Sequence, residues 1–113
     1  MGFPETFGCI SQIHPDDPSS WENELFITFD IDWAHNEVFS DTIDLMERAD
    51  IAATWFITHD TPLLDRLRAN PNFELGIHPN FNFLLAGDPI KGATAGEVVD
   101  RLLEIVPEAR VVR

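Results

Sequence analysis

Basic residues are scarce in this chain. Seven Lys and Arg stand against twenty Asp and Glu in 113 residues, a formal charge of −13. Phosphate backbones are held by Lys and Arg, so nucleic acid is not an expected partner. The acidity itself indicates little more than a well-solvated surface. Cysteine is nearly absent: Cys9 stands alone and cannot form an internal disulfide, so no oxidising compartment is implied. No apolar run approaches the ~20 residues that cross a bilayer, so no membrane span is read. The first residues show no basic stretch leading into an apolar one, so no signal peptide is read either. A soluble, cytoplasmic protein is the expectation.

Apolar residues, by contrast, are plentiful: 44% of the chain is hydrophobic and nine residues are Phe. The length allows one domain, which at this size buries roughly two-thirds of the surface of its unfolded chain. Residues 1–23 carry Gly, Pro, Ser and Asp without an apolar period and read as an irregular lead-in. From residue 24 to 113 short apolar runs alternate with helical patterns.

Leu25–Phe29 reads as a strand that stops at Asp30. Val38, Phe39, Ile43, Leu45, Met46 and Ala49 fall mostly on one helical face, with Asn36 or Ser40 as the cap. Ala53–Thr58 reads as a second strand. Thr61-Pro62 opens a helix, Thr as N-cap and Pro in its first turn, with Leu63, Leu64 and Leu67 on its buried face. Phe73–Ile77 is a third strand, followed by a loop with Pro79, Gly87, Pro89 and Gly92. Thr94-Ala95-Gly96-Glu97 is a capping-box pattern that opens a helix ended by Pro107, and Ala109–Val112 begins a fourth strand. Such alternation predicts an α/β fold, a parallel sheet covered by helices, its apolar strands buried on both faces.

Polar, titratable residues gather where these strands end. Asp30 and Asp32 follow the first, His59 and Asp60 the second, His78 the third. In parallel α/β folds the carboxyl ends of the strands open on one face, where ligands bind. Acids and imidazoles on one rim suit metal-assisted hydrolysis: a zinc-like ion takes both ligand types and brings the pKa of water from 15.7 towards about 7. A carboxylate beside the ion can serve as general base. Asp30 and Asp32 share a face if extended and diverge in a turn. Simpler roles exist for each: an Asp after a strand often caps the next turn. His14 and His35 are read as structural or solvent-facing, Asp16 and Asp17 as solvated charge, and Trp33, Trp55 and Phe81 as core or pocket walls.

Three segments in order carry a resemblance. Thr28-Phe29-Asp30-Ile31-Asp32 resembles the Thr-Phe-Asp-Asp segment that opens the polysaccharide deacetylase (NodB homology) domain. Thr54-Trp55-Phe56-Ile57-Thr58 resembles its second strand, and Glu74-Leu75-Gly76-Ile77-His78 the strand before its His-x-x-x-His metal motif. The resemblance runs from about Leu25 to Arg113 and covers the family's first half. It implies an incomplete (β/α) barrel and hydrolysis of an N-acetyl C–N bond on a sugar or surface-polysaccharide precursor. By position, Asp30 becomes the general base and Asp32 and His78 ligands of Zn2+ or another divalent metal. Trp33 and Asn80 become substrate-binding residues, and the partner a glycan or N-acetylated sugar.

Two departures stand out. Four residues beyond His78 stands Asn82 instead of His, a weaker zinc ligand, so that His59 becomes a further candidate for the metal. Ile31 is inserted between the two acids, a variation associated with surface-polysaccharide biosynthesis. The family's barrel has ~200 residues or more, by analogy with barrel sizes. A truncated chain is therefore expected, its substrate-binding Arg and general-acid His lying in a missing half. Val112 at an open sheet edge then favours association. Two other readings fit the residues: a non-catalytic, carbohydrate-binding remnant, and a haloacid-dehalogenase-type phosphatase with Asp30 as nucleophile.

Overall fold

A computed structural model describes residues 6–113. The elements are β1 (Thr6–Gly8), β2 (Glu24–Phe26), β3 (Thr28–Asp30), α1 (Asn36–Ala49), β4 (Ala53–Ile57), α2 (Leu64–Arg68), β5 (Phe73–Ile77), α3 (Asn82–Leu85) and α4 (Ala95–Ile105). β3, β4 and β5 form a parallel sheet in that order, with Thr28 opposite Thr54 and Ala53 opposite Phe73. The expected α/β architecture with a parallel sheet is present, and among the described residues this sheet is open.

β4 is the centre of the fold, and all five of its residues are buried. Trp55 stacks on Phe29 with ring centroids 4.3 Å apart and meets Phe73 edge-on at 5.3 Å. Such pairs add about 0.5–1.5 kcal/mol beyond burial. Helix α1 delivers Phe39, Ile43 and Met46 to this core, α2 delivers Leu64 and Leu67, and α4 delivers Leu102. Val38 and Leu45, placed on the apolar face by period, are exposed instead. The buried residues of α1 lie three or four apart, the spacing of one face of a helix.

Other boundaries differ for local reasons. The irregular lead-in contains β1, which pairs in parallel with β2. The expected strand from Leu25 divides at Ile27, whose carbonyl accepts from the Thr54 N–H at 2.9 Å. Neither Asn36 nor Ser40 caps α1: His35 is at the N-cap without a side-chain bond, and the Asn36 Oδ1 instead accepts from the Thr61 hydroxyl at 2.9 Å. α2 begins at Leu64, two residues after Pro62, although Thr61 Oγ1 still accepts from the Leu63 N–H. The expected loop after β5 contains α3 and a short 3₁₀ turn, Pro89–Lys91.

α4 is capped as its sequence indicates, Thr94 Oγ1 accepting from the Glu97 N–H at 3.1 Å. The return bond lands one residue early, Glu97 Oε2 accepting from Ala93 N–H. The fourth strand is reduced to one parallel bridge between Val112 and Ile77, flanked by Ile77 N–H to Val111 O and Arg113 N–H to Ile77 O. The lead-in docks at the opposite, amino end of the sheet. There the Ile10 N–H donates to Thr54 Oγ1 at 3.0 Å and the Ser11 N–H to Glu74 Oε1 at 3.1 Å. The Cys9 thiol lies among the Ala53 and Asn72 carbonyls, and burial pushes its pKa up.

Candidate active site at the carboxyl rim of the sheet

Strand β3 ends with Asp30 extended, while Asp32 takes a left-handed backbone at φ 43°, a conformation Asp tolerates better than most residues. The Thr58 hydroxyl, at the end of β4, donates to the Asp32 carbonyl and fixes this turn. The turn sends the two acids to different neighbours. Asp30 Oδ2 lies 3.3 Å from the Arg113 guanidinium, and Asp32 Oδ1 lies 3.7 Å from His78 Nε2.

Hydrogen accounting then sets the state of His78. Its Nδ1 is 2.9 Å from the main-chain oxygen of Arg113, which can only accept, so Nδ1 carries the proton. In the neutral ring Nε2 is therefore a lone pair aimed at the Asp32 carboxylate. A metal ion shared by this carboxylate and this ring nitrogen would satisfy both acceptors. Two bonds of about 2.0–2.2 Å, the usual zinc lengths, can reach across this gap. An imidazole whose other nitrogen donates to a main-chain oxygen is also the arrangement metal-ligating histidines favour.

Asp30 supplies a second sign of unfinished polar business: its Oδ1 is buried with no hydrogen-bond partner among the described residues. Buried carboxylate oxygens are normally partnered. The metal set itself is short. No group of three His, Cys, Asp or Glu able to hold an ion forms among the described residues. Asn82 opens α3, its N–H bound to Asn80 Oδ1 at 2.9 Å. His59 turns its Nδ1 to the Thr58 hydroxyl at 2.7 Å. Because that hydroxyl spends its one hydrogen on Asp32, His59 Nδ1 is the donor and its Nε2 the bare nitrogen.

Trp33, His59 and Asn80 meet instead in a pocket of about 420 Å³ beside the acid–imidazole pair, together with Thr58, Phe83 and Lys91. Trp33 is 71% exposed, so it is pocket wall and not core. Arg113 is the residue the sequence did not disclose. Its side chain holds Asp30, its main chain holds His78, and both depend on pairing with Ile77. The only sequence signal was the short apolar run Val111-Val112 that delivers it to the sheet.

Fold and rim together define a parallel β/α domain that gathers acids and imidazoles at the carboxyl ends of its strands. Residues 27–113 match the model of the WbmS-like polysaccharide deacetylases, and the chain belongs to that family. Family membership sets aside the phosphatase reading of Asp30-Ile31-Asp32. A crystal structure from Bordetella bronchiseptica, of a candidate polysaccharide deacetylase involved in O-antigen biosynthesis, is similar over nearly all of this chain. It is 54% identical with a TM-score of 0.85, over 96% of this chain and 44% of that one. The chain thus spans less than half the length of that relative. No curated protein matches it.

Proposed function

We propose that this chain serves to remove an N-acetyl group from a sugar of a surface-polysaccharide precursor, by hydrolysis of its C–N bond at a site that includes a divalent ion. The observation that carries the reading is the opposition of the Asp32 carboxylate and the His78 Nε2 lone pair across 3.7 Å. One carboxylate and one imidazole suit zinc, and Asn82 or His59 are further donors the chain can offer. When bound, such an ion supplies Lewis acidity, activating water and polarising an acyl oxygen.

Asp30 is the base in this scheme. Arg113 holds its Oδ2 at the rim, where the side chain is 26% accessible, and a carboxylate so placed can take a proton from the attacking water. Trp33 offers an aromatic face to a sugar ring and Asn80 an amide to its hydroxyls, both from the adjoining pocket. The O-antigen role described for the Bordetella protein supports a surface-polysaccharide precursor as substrate.

A second reading, a carbohydrate-binding domain without catalysis, is favoured by the lack of a third acid, imidazole or thiol beside Asp32 and His78 among the described residues. Zinc titration by calorimetry on the chain, its His78→Ala and its Asp32→Ala variants separates the two. Stoichiometric binding lost in both variants supports the deacetylase site. No binding, or binding indifferent to both changes, leaves the second reading standing.

A further inference from the structure

The pocket beside the acid–imidazole pair reverses the charge of the molecule. Acids outnumber bases by twenty to seven in the chain, yet this pocket is lined by Lys91 and Arg101 against the single acid Asp60. Asp60 is shared with a neighbouring depression that contains Arg68. Three of the seven bases are committed elsewhere: Arg66 to Asp44 and Glu47, Arg68 to Glu108, and Arg113 to Asp30. Lys91 and Arg101 form no ion pair among the described residues.

Their position is built by the fold. Asp88 accepts from the Ile90 N–H at 3.0 Å and shapes the 3₁₀ turn that ends at Lys91. Arg101, on α4, donates from Nη1 to the Ile90 carbonyl at 2.7 Å. That bond holds its guanidinium at the turn that carries Lys91 and leaves its other N–H groups without a partner among the described residues. The exposed rings of Trp33 and Phe83 line the same pocket. A cleft whose bases outnumber its acids concentrates anionic ligands. At about 420 Å³ the pocket lies within the range of roughly 300–1,000 Å³ usual for small-molecule sites.

We propose that this pocket selects an acidic sugar, its ring against Trp33 and its anionic group, phosphate or carboxylate, at Lys91 and Arg101. The proposal rests on the deacetylase reading above and names the class of sugar that reading would serve. Calorimetry on the 113-residue chain tests it with three probes: N-acetylglucosamine, N-acetylglucosamine 1-phosphate and N-acetylglucosaminuronic acid.

The anionic sugars are expected to bind about threefold to tenfold more tightly than the neutral one, as charged hydrogen bonds at a partly exposed site allow. Added salt should erode that preference, Lys91→Gln should reduce it, and Lys91→Arg should restore it. Lys91 is exposed, so neither change threatens folding. A preference for only one anion supports the proposal and identifies the source, a sugar phosphate or a uronic acid. Equal affinity for all three probes, no binding of any, or a preference untouched by Lys91→Gln overturns it. The zinc titration is a separate readout: intact zinc binding without anion preference sinks the acidic-sugar proposal alone, whereas zinc binding indifferent to His78→Ala and Asp32→Ala sinks the deacetylase site.

Discussion

The interior of the β3-β4-β5 sheet and its carboxyl rim are built from the same strands and obey opposite rules. Inside, side chains are closely packed: Thr54, Trp55 and Ile57 are at most 1% exposed, and the aromatic rings of three strands interlock around Trp55, although its Nε1 has no hydrogen-bond partner among the described residues. Past the strand ends packing loosens, although Ile31, just after β3, still belongs to the core. Asp32, His78 and Arg113 are partly exposed, linked by a few polar contacts, with acceptors set against each other. A site can be left electrostatically unsatisfied at the rim because the interior carries the stability, consistent with the general tendency of functional sites to break local rules that the rest of the fold keeps.

The sharpest way to break this contrast is to empty the interior. Trp55→Ala removes the ring that meets Phe29, Phe39 and Phe73 and is expected to cost about 3–5 kcal/mol, the range for large aromatic truncations in cores. Urea unfolding measures it. A loss under 1 kcal/mol would mean that β4 is not the centre of the fold.

Gly76→Ala tests the coupling between the two regions. A Cβ there would lie 2.7 Å from Val111 Cγ2 and 2.9 Å from the Phe56 ring. Phe56 is locked in β4, so the segment 111–113 must give way and take Arg113 from Asp30 and His78. Overpacking of this kind costs about 1–3 kcal/mol. Zinc affinity should fall with stability; a stability loss with unchanged zinc binding would show that Arg113 does not organise the rim. Smaller again is Thr94→Ala, which removes the α4 cap at a cost of typically ~1 kcal/mol. It should leave zinc binding alone, because α4 touches the pocket and not the acid–imidazole pair.

The same contrast explains what the sequence disclosed. Strands β4 and β5 were legible to within a residue, because their composition and their polar stops are local signals. The α4 start was legible too, since Thr94 and Glu97 encode a cap within four residues. Asp30, Asp32 and His78 were legible as a rim because a parallel sheet places strand ends together. Their pairing was not legible from the residues alone; only the family resemblance set Asp32 with His78. Which acid meets His78 depends on the left-handed backbone at Asp32 and on the Thr58 hydroxyl that secures it, a contact 26 residues apart in the chain. Arg113 was invisible for a similar reason: its two roles arise only when residues 111–113 pair with Ile77. β1 was missed because a three-residue strand pairing with β2 has too few residues to show a period.

The rim itself supplies the smallest expected stability change and the most informative one. Asp30→Asn keeps the shape of the side chain and removes its charge. The ion pair with Arg113 is partly exposed, its side chains 26% and 58% accessible, and such pairs are worth about 0–1 kcal/mol. The melting temperature should therefore hardly move. On the proposed deacetylase reading, acetate release from an N-acetylated sugar falls by about 10²–10⁴, the usual contribution of a general base, while zinc binding through Asp32 and His78 persists. Were the variant to melt as low as Trp55→Ala, Asp30 would belong to the structural interior and the contrast would dissolve. Were acetate release undiminished, the proton would be going elsewhere, and Asp30 would lose its role as base.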